Sequence, residues 1–298
     1  MPQTIVDAHI HWWDLDNHYY PWLMDNKTIE GGKAGLETLA QTYLLENYRK
    51  HSAGYNVDAM VHIQADYDPS NPIGETHYLS ELIETPDYQG IDVALVGFAD
   101  LADPKVEALL AKQASYKQTR GIRQMLNYLP DEPGYCWASE NYLDNSMWCK
   151  NFALLEKYQL SFDLMCFHPQ MKAAATLFAK HPNIPVVLEH AGMPRLGDLE
   201  LWKEGIKQLA ALPHICCKIG GFGTMIEDWT QEQIEPYVAW IIECFGVQRI
   251  MFSSNFPTDS KFSSFAKAID ALDQLSLGLS ATERELFFSL NARRFYRF

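Results

Sequence analysis

The stretch IVDAHIHWWD, residues 5–14, is an apolar, β-branched run that carries two histidines and ends in two tryptophans. The side-chain period of a strand places three polar residues on one face: Asp7, His9 and His11. Val6 and Ala8 fall on the other face, which we expect to meet helices. The polar face then points into the fold, where an unpaired polar group costs several kcal/mol. A functional site around His9 and His11 is therefore predicted at the end of this strand.

Seven further short apolar runs follow, separated by amphipathic stretches such as VEALLAKQA and IKQLAAL. These runs are residues 57–64, 91–99, 119–126, 160–167, 184–190, 214–220 and 249–254. Together with residues 5–11 they make eight predicted strands. Eight strands alternating with helices indicate an α/β fold, a (β/α)8 TIM barrel. The competing open doubly wound sheet usually has a glycine-rich phosphate-binding turn after its first strand, where this chain has HIHWWD.

We predict one domain over residues 1–298, since a barrel commonly spans such a length undivided and no linker-like segment interrupts the chain. Residues 12–35 are rich in aromatic side chains and are predicted to form a loop over the barrel mouth. Trp22 in this loop is a candidate for stacking on a substrate ring.

The composition excludes several classes of protein. The formal net charge of −14 argues against nucleic acid and anionic membranes as partners, and 47% hydrophobic residues argue against disorder. No signal peptide or membrane-spanning run is visible, so we expect a cytoplasmic protein. Six cysteines without a CxxC pair are expected to be reduced thiols. The number of subunits is left open, a homo-oligomer included.

Further polar residues lie where the later predicted strands end, which is where barrel enzymes gather their active sites. Gln64 ends the second strand, Arg123 lies in the fourth, and His168 follows the fifth. His190 ends the sixth strand and Lys218 lies in the seventh. For each of them a structural role, as a salt bridge, helix cap or hydrogen-bonded side chain, is the alternative to a site role.

Several stretches together resemble the sugar-lactonase and 2-pyrone-4,6-dicarboxylate-lactonase branch of the amidohydrolase superfamily. They are DAHIHWWD, QADYDPSNPIGETHYL, GIRQMLNYLP, LEHAG, KIGG, SSNFPTD and NARRFYRF, in that order along nearly the whole chain. The resemblance implies a (β/α)8 barrel that opens lactones or related cyclic esters, in several cases without a divalent metal. It also implies that His9, His11, His190 and Arg123 occupy the family's site positions.

The chain departs from this pattern after the eighth strand. Members of the superfamily usually have an aspartate there, which completes a metal site or activates water, and this chain has Asn255. An amide neither accepts a proton near neutral pH nor offsets the charge of a divalent cation. We therefore expect no required metal; the alternative is a divalent ion such as zinc held by His9, His11 and His190.

The leading hypothesis is hydrolysis of a sugar-acid lactone or similar small cyclic ester. Arg123, Lys218 or Asn255 would polarise the carbonyl, and an imidazole, with His190 preferred, would deprotonate water. Asp7 or Glu189 would orient one of the rings. The alternatives are a lactone isomerase, a decarboxylase or hydratase of the same superfamily, and an inactive barrel that binds a sugar acid.

Overall fold

The computed structural model describes residues 4–25, 38–195 and 197–298. Its eight strands form one parallel sheet in sequential order. Their bounds are β1 (Ile5–Ile10), β2 (Val57–Ile63), β3 (Asp92–Phe98), β4 (Thr119–Met125), β5 (Ser161–Met165), β6 (Val186–Leu188), β7 (Ile215–Ile219) and β8 (Ile250–Phe252). All eight lie within the predicted runs, so the predicted (β/α)8 barrel is confirmed.

The helices of the described residues surround the strands. Their bounds are α1 (Pro21–Met24), α2 (Leu45–His51), α3 (Gly74–Ile83), α4 (Val106–Ala114), α5 (Ser146–Phe152), α6 (Leu154–Lys157), α7 (His168–Phe178), α8 (Leu199–Ala210), α9 (Gln231–Phe245), α10 (Phe265–Leu275), α11 (Ala281–Glu285) and α12 (Asn291–Tyr296). A π-helical turn, Leu286–Leu290, joins α11 to α12. No helix in these ranges is long and apolar enough to cross a membrane.

The segment after β8 closes the barrel against β1. The backbone N–H of Asn255 donates to the carbonyl of His9 at 2.9 Å, and the N–H of His11 donates to the carbonyl of Phe256 at 2.8 Å. These two bonds pair the carboxyl end of β1 with the segment after β8. They also bring the residues after β8 beside the histidines of β1.

Two large apolar cores contain most of the buried hydrophobic side chains of the described residues. The larger one lies between the strands and the helices and contains Trp148, Phe178 and Trp202. The smaller one lies inside the barrel, because it joins side chains from β1, β3, β6 and β8, among them Val96 and Val187. The described part of the chain has no disulfide, and its six cysteines are free thiols, as predicted.

The prediction that Asp7 faces the barrel interior is wrong. Val6 and Ala8 pack in the core inside the barrel, whereas the Asp7 carboxylate accepts a hydrogen bond of 2.7 Å from Tyr48 of α2, outside it. The pairing register of β1 with β2 shifts between Asp7 and Ile10. A bulge of this kind changes the face on which later side chains lie, so His9 still points into the barrel although Asp7 does not.

Helix α12 covers the end of the barrel opposite the site. Tyr296 is fully buried in the interior core, and its hydroxyl donates to Asp163 Oδ2 at 2.7 Å. The same oxygen lies 2.6 Å from Lys218 Nζ, and the ammonium sits over the Tyr296 ring. A buried ion pair thus forms the floor under the site.

The predicted loop at residues 12–35 is described only as far as residue 25. Trp13 pairs with Tyr43 through an isolated bridge, and Trp12 stacks on His62, so both tryptophans belong to the core. Trp22 donates to the carbonyl of Ala65 at 2.7 Å. Residues 26–35 lie outside the described residues.

Candidate active site

Three predicted histidines come together at the carboxyl end of the barrel. His9 Nε2 and His11 Nε2 are 3.2 Å apart, and the rings of His9 and His190 have centroids 4.4 Å apart. All three side chains are buried. The strand ends therefore bring together the imidazoles that the sequence predicts as one site.

The partners of His9 and His11 fix their tautomers. His11 Nδ1 lies 2.7 Å from the carbonyl of Ile63, which only accepts, so Nδ1 carries the proton and Nε2 a lone pair. His9 Nδ1 lies 3.2 Å from Glu189 Oε1, a carboxylate that favours the proton on that nitrogen. Both Nε2 atoms then direct lone pairs towards each other, an arrangement that a bound cation stabilises.

Burial keeps the histidines neutral. It lowers the pKa of His9 and of His11 well below the usual range, and for His11 the nearby Arg123 cation acts in the same direction. Burial also lowers the pKa of His190 to about 4. Neutral imidazole is the form that binds a metal, whereas a group with so low a pKa is a weak proton acceptor near neutral pH.

The donor set fits a divalent metal. His9, Glu189 and His190 each offer one ligand atom, and these atoms lie within 4.8 Å of one another. Imidazole nitrogen and carboxylate oxygen are the ligands that zinc takes in catalytic sites. The cluster therefore supports the metal alternative, and the expectation that no metal is required stays an untested prediction.

Glu189 holds the cluster together electrostatically. Its Oε2 lies 3.5 Å from Arg123 Nη1, and its Oε1 lies 3.7 Å from Lys218 Nζ. Burial alone would raise the pKa of Glu189, but the facing His9 ring and the two cations outweigh it and hold the pKa well below its usual range. Of the two acids expected to orient a ring, Glu189 fits and Asp7 does not.

Gly221 makes room for His190. Gly221 has φ +71°, and a Cβ built on it would lie 2.2 Å from His190 Nδ1. His190 itself has φ +52°, in the left-handed region, at the start of the short turn His190–Gly192. The ring is thus positioned by a strained strand end and a glycine of the next strand's loop.

A cavity of about 280 Å³ opens beside the histidines. Its wall includes five of the predicted site residues: His11, Trp22, Arg123, His190 and Asn255. The rest of the wall is mostly apolar or hydroxyl-bearing, with two charged groups, and consists of Leu39, Ala65, Asp66, Met125, Trp137, Met165, Thr224, Thr258, Lys261 and Phe262. This size and lining suit a small, partly apolar ring with a few polar substituents.

Three predicted substrate contacts do not line the cavity. The Gln64 carbonyl accepts a hydrogen bond from Arg123 Nη2, so Gln64 positions the arginine. His168 begins α7 and is half-buried away from the cavity wall. Lys218 is wholly buried on the barrel floor with Asp163, so its predicted contact with substrate finds no support in this geometry.

Asn255 lines the cavity with its amide held from behind. It has φ +60°, and its Nδ2 donates to Asp259 Oδ1 at 2.9 Å. The other oxygen of Asp259 accepts from the backbone N–H of Gly223 at 3.1 Å. Among the described residues no hydrogen bond reaches Asn255 Oδ1, so the amide presents its oxygen to the cavity. The expected role of Asn255 as a donor to the carbonyl does not fit this orientation.

Asp259 is expected to make the stability of the protein depend on pH. Burial raises its pKa from 3.8 to about 6. The native state therefore binds this proton more tightly than the unfolded chain, and the stabilisation is lost as pH rises through 6. We expect native stability, compared with an Asp259→Asn variant, to fall by about 1.5 kcal/mol between pH 5 and pH 8. Urea unfolding of both proteins at the two pH values measures this, and parallel stabilities would contradict it.

Comparisons with known proteins agree with this geometry. The sequence model of the amidohydrolase family matches residues 6–298. The chain belongs to the amidohydrolase family. It is 36% identical to the uncharacterized protein y4mH of Sinorhizobium fredii, over 99% of this chain and 98% of that one. These matches confirm the resemblance to the amidohydrolase superfamily.

Two further relatives come from Burkholderia multivorans. An L-fucono-1,5-lactonase is 28% identical over 98% of this chain and 95% of its own length. A crystal structure of an amidohydrolase with bound zinc superposes with a TM-score of 0.81 at 26% identity, covering 99% of each chain. The family of this chain thus includes a protein with zinc and one named for a sugar lactone.

Proposed function

We propose that this protein hydrolyses a small sugar-acid lactone. The observation that carries the proposal is the meeting of Arg123, His11 and His190 on the wall of one cavity of about 280 Å³, with His9 and Glu189 directly behind them. The curated relatives named L-fucono-1,5-lactonase and L-rhamnono-gamma-lactonase support a cyclic sugar ester as substrate.

The groups of the wall suit attack on a lactone carbonyl. Arg123 is held by Glu189 and the Gln64 carbonyl, and its guanidinium has five N–H groups, so donors remain for a substrate oxygen. A fixed cation beside the carbonyl stabilises the negative charge that develops when water adds. Collapse of that adduct breaks the ring C–O bond and releases the hydroxy acid.

The histidines are best suited to bind rather than to accept the proton. His9, His11 and His190, with Glu189, would hold a divalent metal in this site. Such an ion supplies a Lewis acid for the carbonyl and lowers the pKa of bound water. Glu189 keeps the His9 ring oriented in either case, because its oxygen faces Nδ1.

Lactone isomerisation remains the second candidate, since Asn255 stands where the resemblance implies an aspartate that activates water, and an amide cannot take that proton. In that reaction a substrate hydroxyl attacks instead of water, and the ring changes size. NMR analysis of a panel of sugar-acid lactones separates the two functions. A free hydroxy acid supports hydrolysis, a new lactone supports isomerisation, and inertness across the panel contradicts both.

Removing His190 tests the site itself. We expect His190→Ala to lower kcat/KM on the best lactone at least a hundredfold, because the change removes a ligand from the cluster. The control is His77→Ala, since His77 is 56% exposed on α3. Metal content, measured by mass spectrometry before and after dialysis with a chelator, is expected to be lower in His190→Ala. Unchanged activity and metal content would show that the site is elsewhere.

A further inference from the structure

One acidic side chain lies on the cavity wall. Asp66 lies two residues after Gln64, beyond the end of β2, and lines the cavity together with Arg123 and His190. It is the one carboxylate among the described residues of the wall. Glu189, by contrast, is fully buried behind the wall and is engaged with three cationic or imidazole groups.

The backbone and a neighbouring amide aim the Asp66 side chain. Asp66 has φ +54°, a conformation that Asp adopts more readily than most residues. Its backbone N–H donates to Gln64 Oε1 at 2.8 Å, and Gln64 Nε2 donates to Asp66 Oδ1 at 3.3 Å. The Gln64 side chain therefore holds one carboxylate oxygen and leaves Oδ2 for the cavity.

Ala65, which precedes Asp66, is also held by hydrogen bonds. The N–H of Ala65 donates to both oxygens of Glu75, at 3.0 and 3.2 Å, and the Ala65 carbonyl accepts from Trp22. The turn that carries Asp66 is thus anchored on both sides. A carboxylate held in this way loses little freedom when it meets a substrate.

The surroundings of Asp66 suit proton transfer. Burial raises its pKa, which the Arg123 cation only partly opposes. A carboxylate with a raised pKa is a stronger base than an ordinary one. Asn255, on the same wall, has no group that accepts a proton near neutral pH.

We propose that Asp66 is the general base of the lactonase reaction. This inference rests on the proposed lactone hydrolysis. Asp66 takes a proton from the attacking water while the water oxygen bonds to the carbonyl carbon. The adduct then collapses, the ring C–O bond breaks, and Asp66 returns the proton to the departing ring oxygen. One water is consumed, one hydroxy acid is formed, and Asp66 ends ionised as it began.

The test compares two substitutions at residue 66 with a matched control on the same loop. Asp66→Asn keeps the shape of the side chain and removes the base, and Asp66→Gly suits the positive φ and leaves space for a small acid. Asp68→Asn is the control. The Asp68 carboxylate accepts hydrogen bonds from the N–H and the hydroxyl of Ser70 and does not line the cavity. kcat and KM are measured on a lactone that the unmodified protein opens.

We expect both variants at residue 66 to lose 10²- to 10⁴-fold in kcat, with KM within about threefold. Added formate is expected to restore part of the kcat of Asp66→Gly, and Asp68→Asn to match the unmodified protein. An Asp66→Asn variant that keeps its kcat overturns the assignment, and so does a loss in Asp66→Gly that formate does not relieve. If the unmodified protein opens no lactone, the proposed function fails, and the role of Asp66 with it.

Discussion

Replacing Glu189 with glutamine is expected to lower kcat/KM about a hundredfold and the free energy of unfolding by about 3 kcal/mol. Its carboxylate is fully buried and faces His9, Arg123 and Lys218. A neutral amide leaves two buried cations with less compensation, which costs about 3–5 kcal/mol when such a pair is broken. The substitution also removes the carboxylate that favours the proton on His9 Nδ1. Loss of such a hydrogen-bonding partner of a metal-binding histidine reduces metal affinity or activity by about 10–100-fold.

Steady-state kinetics and urea unfolding at neutral pH measure the two effects of Glu189→Gln. Glu200→Gln on α8 is the matched control, because the Glu200 side chain is 84% exposed. We expect the control to change stability by less than about 0.5 kcal/mol. A Glu189→Gln variant as stable and as active as the control would show that the buried carboxylate does not support the site.

The second large effect is expected from the pair formed by Asn255 on the cavity wall and Asp259 behind it. Asn255→Asp places a carboxylate where the Asn255 amide now donates to Asp259 Oδ1 at 2.9 Å. Two carboxylates so close repel each other when both are ionised, and the ionised side chain introduced at residue 255 has no hydrogen to donate to Asp259. We expect the single substitution to destabilise the protein by about 2 kcal/mol at pH 8.

Exchanging both residues restores the pair. In the double variant Asn255→Asp with Asp259→Asn, the new amide donates to the new carboxylate, and the acid lies on the cavity wall. We expect most of the lost stability to return, and the kcat loss of Asp66→Asn to be partly relieved in this background. Thermal unfolding and kcat of the single, double and triple variants measure both effects. A double variant no more stable than Asn255→Asp would contradict the hydrogen bond on which the exchange depends.

The barrel could be predicted because its signals are local. Most strands are short apolar runs with a polar residue at or near the carboxyl end, and parallel strands bring such ends to one rim. For this reason His9, His11, Arg123 and His190 lie at one rim. Their roles stay predictions. Lys218 shows the limit of this argument, since a position inside a strand does not reveal whether a side chain faces the rim or the floor.

The face of Asp7 could not be predicted from alternation. A strict period of two fails at a bulge, and the register shift in β1 depends on pairing with β2, some fifty residues away. Val6 and Ala8 carry no signal of it, because apolar residues suit both the inside and the outside of the barrel.

Two acids of the site region, Asp66 and Asp259, were not selected from the sequence, although the position of each along the chain carries a weak indication. Asp66 follows directly after the end of β2, where the same strand-end argument that selected Gln64 applies. Asp259 lies four residues after Asn255, a spacing that brings two side chains together once the chain turns, as it does at Thr258–Lys261. Neither spacing alone distinguishes a site from an ordinary loop; the cavity wall and the hydrogen bonds make the distinction.

The closure of the barrel has a consequence for folding kinetics. The bonds that seal β1 join His9 to Asn255 and His11 to Phe256, contacts that span almost the whole chain. Contacts of such sequence separation form late, because their loop-closure entropy is the largest. In refolding experiments, enzyme activity should therefore return only with the last phase of native structure, after the helical signal has recovered.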